Sequence, residues 1–117
     1  TYDGDKVKTF KPSSYATVMS ADEAETIGNY MITTVQSGTA SALSGASYTA
    51  AGKTGSAEYD TASGERGTHS WFVGYTNVDN PELAIAVIAE DGGSGSSTAV
   101  PIAKYIFDTY YQNKYGY

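Results

Sequence analysis

The residues of this sequence with the clearest chemical potential are four in a row, Lys53-Thr54-Gly55-Ser56, within the stretch AAGKTGSAEY. A lysine, two hydroxyls and a glycine without a side chain would suit the binding of an anionic group such as a carboxylate or a phosphate. The first question is which anion these residues would bind, and in which reaction.

One interpretation is a phosphate-binding loop, because Gly52-Lys53-Thr54 matches the end of the Walker A motif. That motif also requires a glycine five residues before Gly52, and that position is Ser47. It further requires a helix directly afterwards, whereas the following SAEY continues as a strand. The sequence therefore disfavours a phosphate loop.

A second interpretation needs no chemistry: an edge strand that carries a lysine for solubility. Lysine and threonine are ordinary residues in such a strand, and a three-residue match arises often by chance. The Lys-Thr-Gly triplet is weak evidence by itself, so its meaning depends on the sequence around it.

The surrounding sequence contains an ordered series of further stretches. They are GTA at 38–40, AGKTGSAE at 51–58, HSWFVGY at 69–75, NPELAIAVIAEDGG at 80–93 and AVPIAKYIFD at 99–108. The series resembles the C-terminal part of the transpeptidase domain of high-molecular-weight penicillin-binding proteins, especially the class B type. The resemblance covers nearly the whole chain and is clearest over residues 38–108. One departure is Ser56, where the family more often has threonine.

This resemblance implies a role for each of the four residues in acyl transfer. Lys53 would supply positive potential near a nucleophilic serine, and Thr54 and Ser56 would bind the substrate carboxylate. Gly55 would let the substrate lie close to the backbone. The backbone N–H of Ser56 would complete the oxyanion hole, where one donor contributes about 3 kcal/mol. The implied parent is a D,D-transpeptidase that cross-links peptidoglycan stem peptides through an acyl-serine, and β-lactams would acylate the same serine.

The family's nucleophile lies in a Ser-x-x-Lys motif, which this sequence lacks. The residues three positions before the lysines are Asp3, Asp5, Lys8, Ala50, Pro101 and Tyr111. The one Ser-x-x-basic match joins Ser63 to Arg66, and arginine cannot act as a base. The family's Ser-x-Asn element is also missing. We therefore expect residues 1–117 to be the C-terminal portion of a larger transpeptidase domain, inactive alone, whose missing N-terminal part carries the serine.

Two other classes of protein stay open. A β-lactam sensor or a serine β-lactamase shares the Lys-Thr-Gly element, and the deacylation rate would separate these from a transpeptidase. A non-catalytic interaction domain, as a decayed relative, would be favoured by a full-length reading frame without Ser-x-x-Lys.

Composition argues against a nucleic-acid partner, disulfide bonds and metal sites. The net charge of −6 argues against nucleic acid, and the absence of cysteine excludes disulfides and thiolate metal sites. Histidine and carboxylates show no convincing metal spacing, so we expect no metal and no cofactor.

The longest apolar run, Leu83–Ala89, is far shorter than the about 20 residues that span a bilayer. The resemblance implies an extracytoplasmic protein, anchored to the cell membrane through the missing part.

The elements that must position the four residues follow from local patterns. We predict helices at about 21–37 and 98–113, and strands at about 50–59, 68–76 and 82–90. Ser20 and Glu23 form a capping box for the first helix. The short links between strands favour an antiparallel sheet, so the predicted class is α+β with helices packed on the sheet. The DGGSGSS stretch at 91–97 is predicted to be a flexible connection.

Burial follows from the same patterns. Ala24, Ile27, Met31 and Val35 should form one buried stripe on the first helix. The third strand is apolar on both faces and should be covered on both.

The second predicted strand carries the one tryptophan and the one histidine of the sequence. Trp71 and Phe72 are predicted core residues. His69 is predicted to be a sheet-edge histidine that hydrogen-bonds locally, and a role near the substrate is the alternative. In the resembled family two more strands complete the sheet. Their absence predicts an exposed edge and an exposed apolar face, and therefore instability, self-association, element swapping or coverage by an upstream half.

The first prediction concerns this chain alone. Incubated with benzylpenicillin, it should gain no mass, because no serine in it has the motif of an activated nucleophile. Intact mass spectrometry checks this. A stoichiometric adduct would show that one of the serines is a nucleophile, and would exclude the interpretation of the chain as a substrate-side fragment.

Overall fold

The computed structural model describes residues 3–116, which form a three-stranded antiparallel sheet with two helices. The elements are α1 (Ala21–Ser37), β1 (Ala50–Asp60), β2 (Arg66–Thr76), β3 (Leu83–Ala89) and α2 (Val100–Tyr115). A short 3-10 turn at Ser41–Leu43 precedes β1, and a π-helical turn at Gly95–Ala99 precedes α2. The strand order β1-β2-β3 confirms the predicted α+β class with an antiparallel sheet.

Helix α1 begins at the capping box that the sequence predicts. Ser20 Oγ accepts a hydrogen bond from Glu23 N–H at 3.2 Å, and the Glu23 carboxylate accepts from Ser20 N–H at 2.7 Å. The bond from the Ser20 backbone holds the pKa of Glu23 below its ordinary value. These two bonds satisfy backbone donors that the first helical turn leaves without a partner.

The predicted buried stripe of α1 is wrong for most of its length. Val35 is only 4% exposed, but Ile27 is 45% exposed and Ala24 is exposed as well. Met31 lies between these extremes. The periodicity correctly identifies a helix, but within residues 3–116 only its C-terminal end has a surface on which to pack.

The core lies between the sheet and α2. Phe72 of β2 and Phe107 of α2 are fully buried, with ring centroids 6.5 Å apart in an edge-to-face arrangement. Val100 and Ala103 extend this contact along the helix. Burial of each aromatic side chain contributes roughly 2–3 kcal/mol, so this contact supplies much of the adhesion between the two layers.

Polar side chains fix the orientation of α2 on the sheet. Tyr111 donates a hydrogen bond to Thr76 Oγ1 at 2.9 Å, and both residues are buried. Tyr48 donates to Asp108 at 2.7 Å, and Lys104 donates to the same carboxylate. Partial burial works to raise the pKa of Asp108, but these two hydrogen bonds outweigh it and hold that pKa below its usual range. Such directional bonds specify one rotation of the helix, which apolar contact alone does not.

The two faces of the sheet differ in their covering. On the face toward α2, Phe72 and Val87 are buried, whereas on the opposite face Trp71 is 40% and Ile88 is 50% exposed. The predictions that β3 is covered on both faces, and that Trp71 is a core residue, are therefore wrong for the described chain, while Phe72 is confirmed as core. Side chains alternate along a strand, so neighbouring apolar residues face different surroundings.

The glycine–serine turn (residues 91–99) is not the flexible connection that its composition predicts. Thr98 Oγ1 donates to Gly92 O at 2.6 Å, and Gly93 N–H donates to Thr68 O on β2 at 3.2 Å. Gly95 and Ala99 are buried. Small residues allow the turn to pack tightly on the sheet. The prediction of flexibility considered only the glycine and serine content and did not consider this close packing.

The core contact gives a stability prediction. Phe107→Ala should lower the free energy of unfolding by about 3–5 kcal/mol, because it removes a fully buried ring and leaves a cavity. Tyr105→Ala is the matched control on the same helix, since Tyr105 is 74% exposed, and it should change stability by less than about 0.5 kcal/mol. Urea denaturation followed by circular dichroism measures both. Equal losses would contradict the assignment of the helix faces.

Candidate functional site

The four candidate residues lie in the middle of β1, at one edge of the sheet. Lys53 is opposite Val73 of β2, and Ser56 is opposite Ser70. β2 pairs with β1 on one side, and among residues 3–116 no strand pairs on the other. An edge strand leaves every second pair of backbone N–H and C=O groups open to a ligand.

The structure brings the four residues together in one strand, but it does not place their side chains on one face. Because side chains alternate, Lys53 and Gly55 lie on the open face, and Thr54 and Ser56 lie on the face toward α2. Lys53 and Ser56 are exposed, whereas Thr54 is 8% exposed. A ligand lying along the edge of β1 could therefore meet both the cation and a hydroxyl.

Lys53 is a cation without a carboxylate partner in the described part of the chain. Its ammonium group donates to the backbone carbonyl of Thr54. None of the salt bridges formed by residues 3–116 includes Lys53. Its positive charge is thus available to an anionic ligand, and within this chain it is already held against the edge of β1.

The hydroxyl of Thr54 has a partner that the sequence alone could not assign. Thr54 Oγ1 lies 2.5 Å from Thr39 Oγ1, which belongs to the GTA stretch after α1. That stretch is visible as part of the ordered series, but nothing in its spacing predicts a contact across 15 residues. The pair shares one hydrogen bond, so one hydroxyl proton stays available to an acceptor outside it.

The Ser56 hydroxyl contacts the glycine–serine turn. Gly95 N–H donates to Ser56 Oγ at 3.4 Å. A Cβ atom at position 95 would lie 2.8 Å from Trp71 O and 2.9 Å from Gly55 O, so only glycine fits here. Gly95 therefore joins the site by close backbone approach, and the DGGSGSS composition was the only signal for it.

The prediction for His69 is confirmed only in part, because the histidine hydrogen-bonds within the protein but lies on β2, the central strand, and not at a sheet edge. Its ring stacks on Tyr59 at 4.4 Å, and its Nδ1 accepts a hydrogen bond from Asp91 N–H at 3.3 Å. Tyr59 in turn donates to the Asp91 carboxylate, which raises the pKa of the Tyr59 hydroxyl. These contacts tie the far end of the β1–β2 hairpin to the start of the glycine–serine turn.

Other kinds of site either lie away from β1 or have no support in the described residues. A cavity of about 270 Å³ lies at the C-terminal end of α1 and is lined by residues such as Ile32, Leu43 and Val78, but by none of Lys53–Ser56. Within the described residues, no group of three or more His, Asp or Glu side chains could hold a metal ion. No helix in that part of the chain is both long and apolar enough to cross a membrane.

Comparison with known proteins gives the family context. The family model of the penicillin binding protein transpeptidase domain matches residues 3–108. A peptidoglycan D,D-transpeptidase MrdA from Haemophilus influenzae is 38% identical over 108 residues, which is 82% of this chain and 16% of that protein. The chain thus spans about a sixth of this relative's length.

Solved structures of penicillin-binding proteins share the fold of this chain. The D,D-transpeptidase domain of a peptidoglycan glycosyltransferase from Eggerthella lenta superposes with a TM-score of 0.75 at 28% identity, over 99% of this chain and 26% of that one. PBP2 of Pseudomonas aeruginosa, solved in complex with WCK 5153, gives a TM-score of 0.72 at 29% identity, over 92% of this chain and 24% of that one. The sequence match and the shared fold together show that the chain belongs to the penicillin-binding protein transpeptidase domain family.

Proposed function

We propose that the protein carrying this chain is a peptidoglycan D,D-transpeptidase, and that β1 is the substrate-binding strand of its acyl-transfer site. The observation that carries the proposal is the placement of Lys53-Thr54-Gly55-Ser56 on a sheet edge, with a cation that no described carboxylate neutralises. The relatives named as peptidoglycan D,D-transpeptidases support the reaction class.

In the proposed reaction, a serine outside this chain attacks the penultimate D-alanine carbonyl of a stem peptide. A bond forms between the serine oxygen and the carbonyl carbon, and the bond to the terminal D-alanine nitrogen breaks. The amine of a second stem peptide then attacks the acyl-serine, which frees the serine and forms the cross-link. A β-lactam would follow the first step only, since its ring amide is the bond that opens.

Each residue of β1 has a defined part in this proposal. Lys53 provides positive potential for the serine and the substrate carboxylate. The hydroxyl groups of Thr54 and Ser56 donate hydrogen bonds to that carboxylate. The Ser56 backbone N–H stabilises the oxyanion, a contribution of about 3 kcal/mol for one donor. The exposed position of Ser56 supports these roles, as does the edge of β1 that no strand within residues 3–116 covers.

Gly55 has a role that the fold itself does not require. A Cβ atom at this position would have one neighbour within 4 Å, Trp71 Cβ at 3.4 Å, and the backbone is not in the left-handed region. An alanine would therefore fit the sheet. The absence of a side chain is better explained by a substrate that lies directly against the strand.

The proposal also concerns the parts of the protein that lie outside this chain. We infer that residues 1–117 are the C-terminal portion of the transpeptidase domain, and that its N-terminal part supplies the serine and covers the face bearing Trp71, Val73 and Ile88. A membrane anchor outside this chain would hold the domain outside the cytoplasm, where peptidoglycan lies.

The role of Lys53 can be tested in the full-length protein. Lys53→Ala should lower the second-order rate of acylation by benzylpenicillin about 100-fold or more, because it removes a preorganised charge from the site. Lys104→Ala is the matched control, since that lysine pairs with Asp108 on α2, away from β1, and its acylation rate should be unchanged. Fluorescent penicillin labelling over time measures both rates. Equal rates for Lys53→Ala and the unaltered protein would exclude the proposed role.

The role of Gly55 predicts a separation of stability from activity. Gly55→Ala should keep the melting temperature within a few degrees, because the new methyl group meets only Trp71. Acylation should fall about 100-fold, since displacing the substrate by roughly 1 Å is enough for such a loss. Differential scanning fluorimetry and penicillin labelling give the two readouts. A variant that is stable and fully active would show that the substrate does not approach this residue.

A further inference from the structure

Ser70 is a buried hydroxyl that the proposed mechanism does not use. It lies on β2 directly opposite Ser56, and it is 0% exposed. Its Oγ donates a hydrogen bond to Ser94 O at 2.9 Å and accepts one from Ala99 N–H at 3.0 Å. Its proton is thus committed inside the protein, so Ser70 does not contact a ligand itself.

These two bonds hold both ends of one short turn. Ser94 and Ala99 flank the Gly95–Thr98 stretch, and the Ser70 hydroxyl joins them across the base of the turn. No side chain in the described chain that is both buried and polar lacks a hydrogen-bond partner, so Ser70 belongs to a satisfied network. Removing its hydroxyl would take this partner from Ala99 N–H, whereas Ser94 O would keep its bonds from Thr98 N–H and Ser97 Oγ, each at 3.2 Å.

The turn that Ser70 holds is also the element that contacts the Ser56 hydroxyl. Gly95 follows Ser94 directly, and its N–H donates to Ser56 Oγ at 3.4 Å. A hydroxyl has one proton to donate. Because the Ser56 oxygen accepts from Gly95, the Ser56 proton is not used in that contact, and it can be donated to another acceptor, such as an anion on the exposed side of β1.

We propose that Ser70 is a positioning residue for anion recognition: it fixes the Ser94–Ala99 turn, the turn holds Gly95 N–H on Ser56 Oγ, and the Ser56 proton is thereby aimed at the substrate carboxylate. This inference rests on the proposed function of β1. It adds a specificity determinant that lies one strand away from the ligand and acts through a backbone amide.

The experiment compares two probes in the full-length protein: benzylpenicillin, which has a free carboxylate, and its methyl ester, which does not. The measured quantity is the ratio of their acylation rates. In Ser70→Ala this ratio should fall roughly tenfold toward unity, the size expected for one misaligned hydrogen bond. A merely structural loss would reduce the active fraction, slow both probes equally and leave the ratio unchanged.

A double substitution tests the path of the effect. In a Ser56→Ala background, Ser70→Ala should produce no further change in the ratio, because the hydroxyl that it orients is gone. A further drop of the same size would overturn the inference, since Ser70 would then act by another route.

Thr76→Val is the matched control. It removes another fully buried hydroxyl from the same strand, bonded to Tyr111 and about 20 Å away from Ser70 along β2. It should lower the melting temperature without changing the ratio. A shift of the ratio in Thr76→Val as large as in Ser70→Ala would overturn the inference.

Two further outcomes separate the proposals. If Ser70→Ala does not fold, Ser70→Cys keeps a similar volume with a weaker hydrogen-bonding group, and it should shift the ratio in the same direction by a smaller factor. An unchanged ratio in a folded Ser70 variant of an acylated protein overturns this inference alone. Absence of acylation in the unaltered full-length protein overturns the proposed function, and this inference with it.

Discussion

The antiparallel pairing of β1 with β2 is the interaction on which the rest of the structure depends. Its register sets Lys53 opposite Val73 and Ser56 opposite Ser70. A slip of one residue would exchange the two faces of β1 and turn the lysine onto the covered face of the sheet. The register is fixed by the covered face, because the buried side chains of Thr54 and Phe72 must both lie on it. The core thus determines where the charge of the site points.

The same packing explains why the two faces of the sheet offer the site different surroundings, one polar and one apolar. Helix α2 covers one face of the sheet through Phe107 and Tyr111, and it brings the glycine–serine turn with it onto β1. The opposite face, which also carries Lys53, keeps Trp71 and Ile88 exposed. A cation at the border of an apolar surface has a stronger field toward a bound anion once that surface is covered, because less water screens it.

Local features of this structure could be predicted from the sequence, and features that depend on distant contacts could not. The capping box of Ser20 and Glu23 is encoded within four residues, and it forms as expected. The Thr39–Thr54 contact joins residues far apart in sequence, so no periodicity reveals it. Trp71 and Phe72 have nearly the same apolar character, and only the position of α2 decides which of them is buried.

The glycine–serine turn shows why composition misled at one point of the site. Glycine and serine are typical of flexible linkers because they offer little apolar surface, but the same small size permits the closest backbone packing. At Gly95 a single added carbon would collide with two backbone oxygens of the sheet. Backbone amides brought this close can act as fixed donors without a side chain to reorganise. The apparent linker is therefore the element best suited to orient a hydroxyl on β1, and its order follows from its lack of side chains.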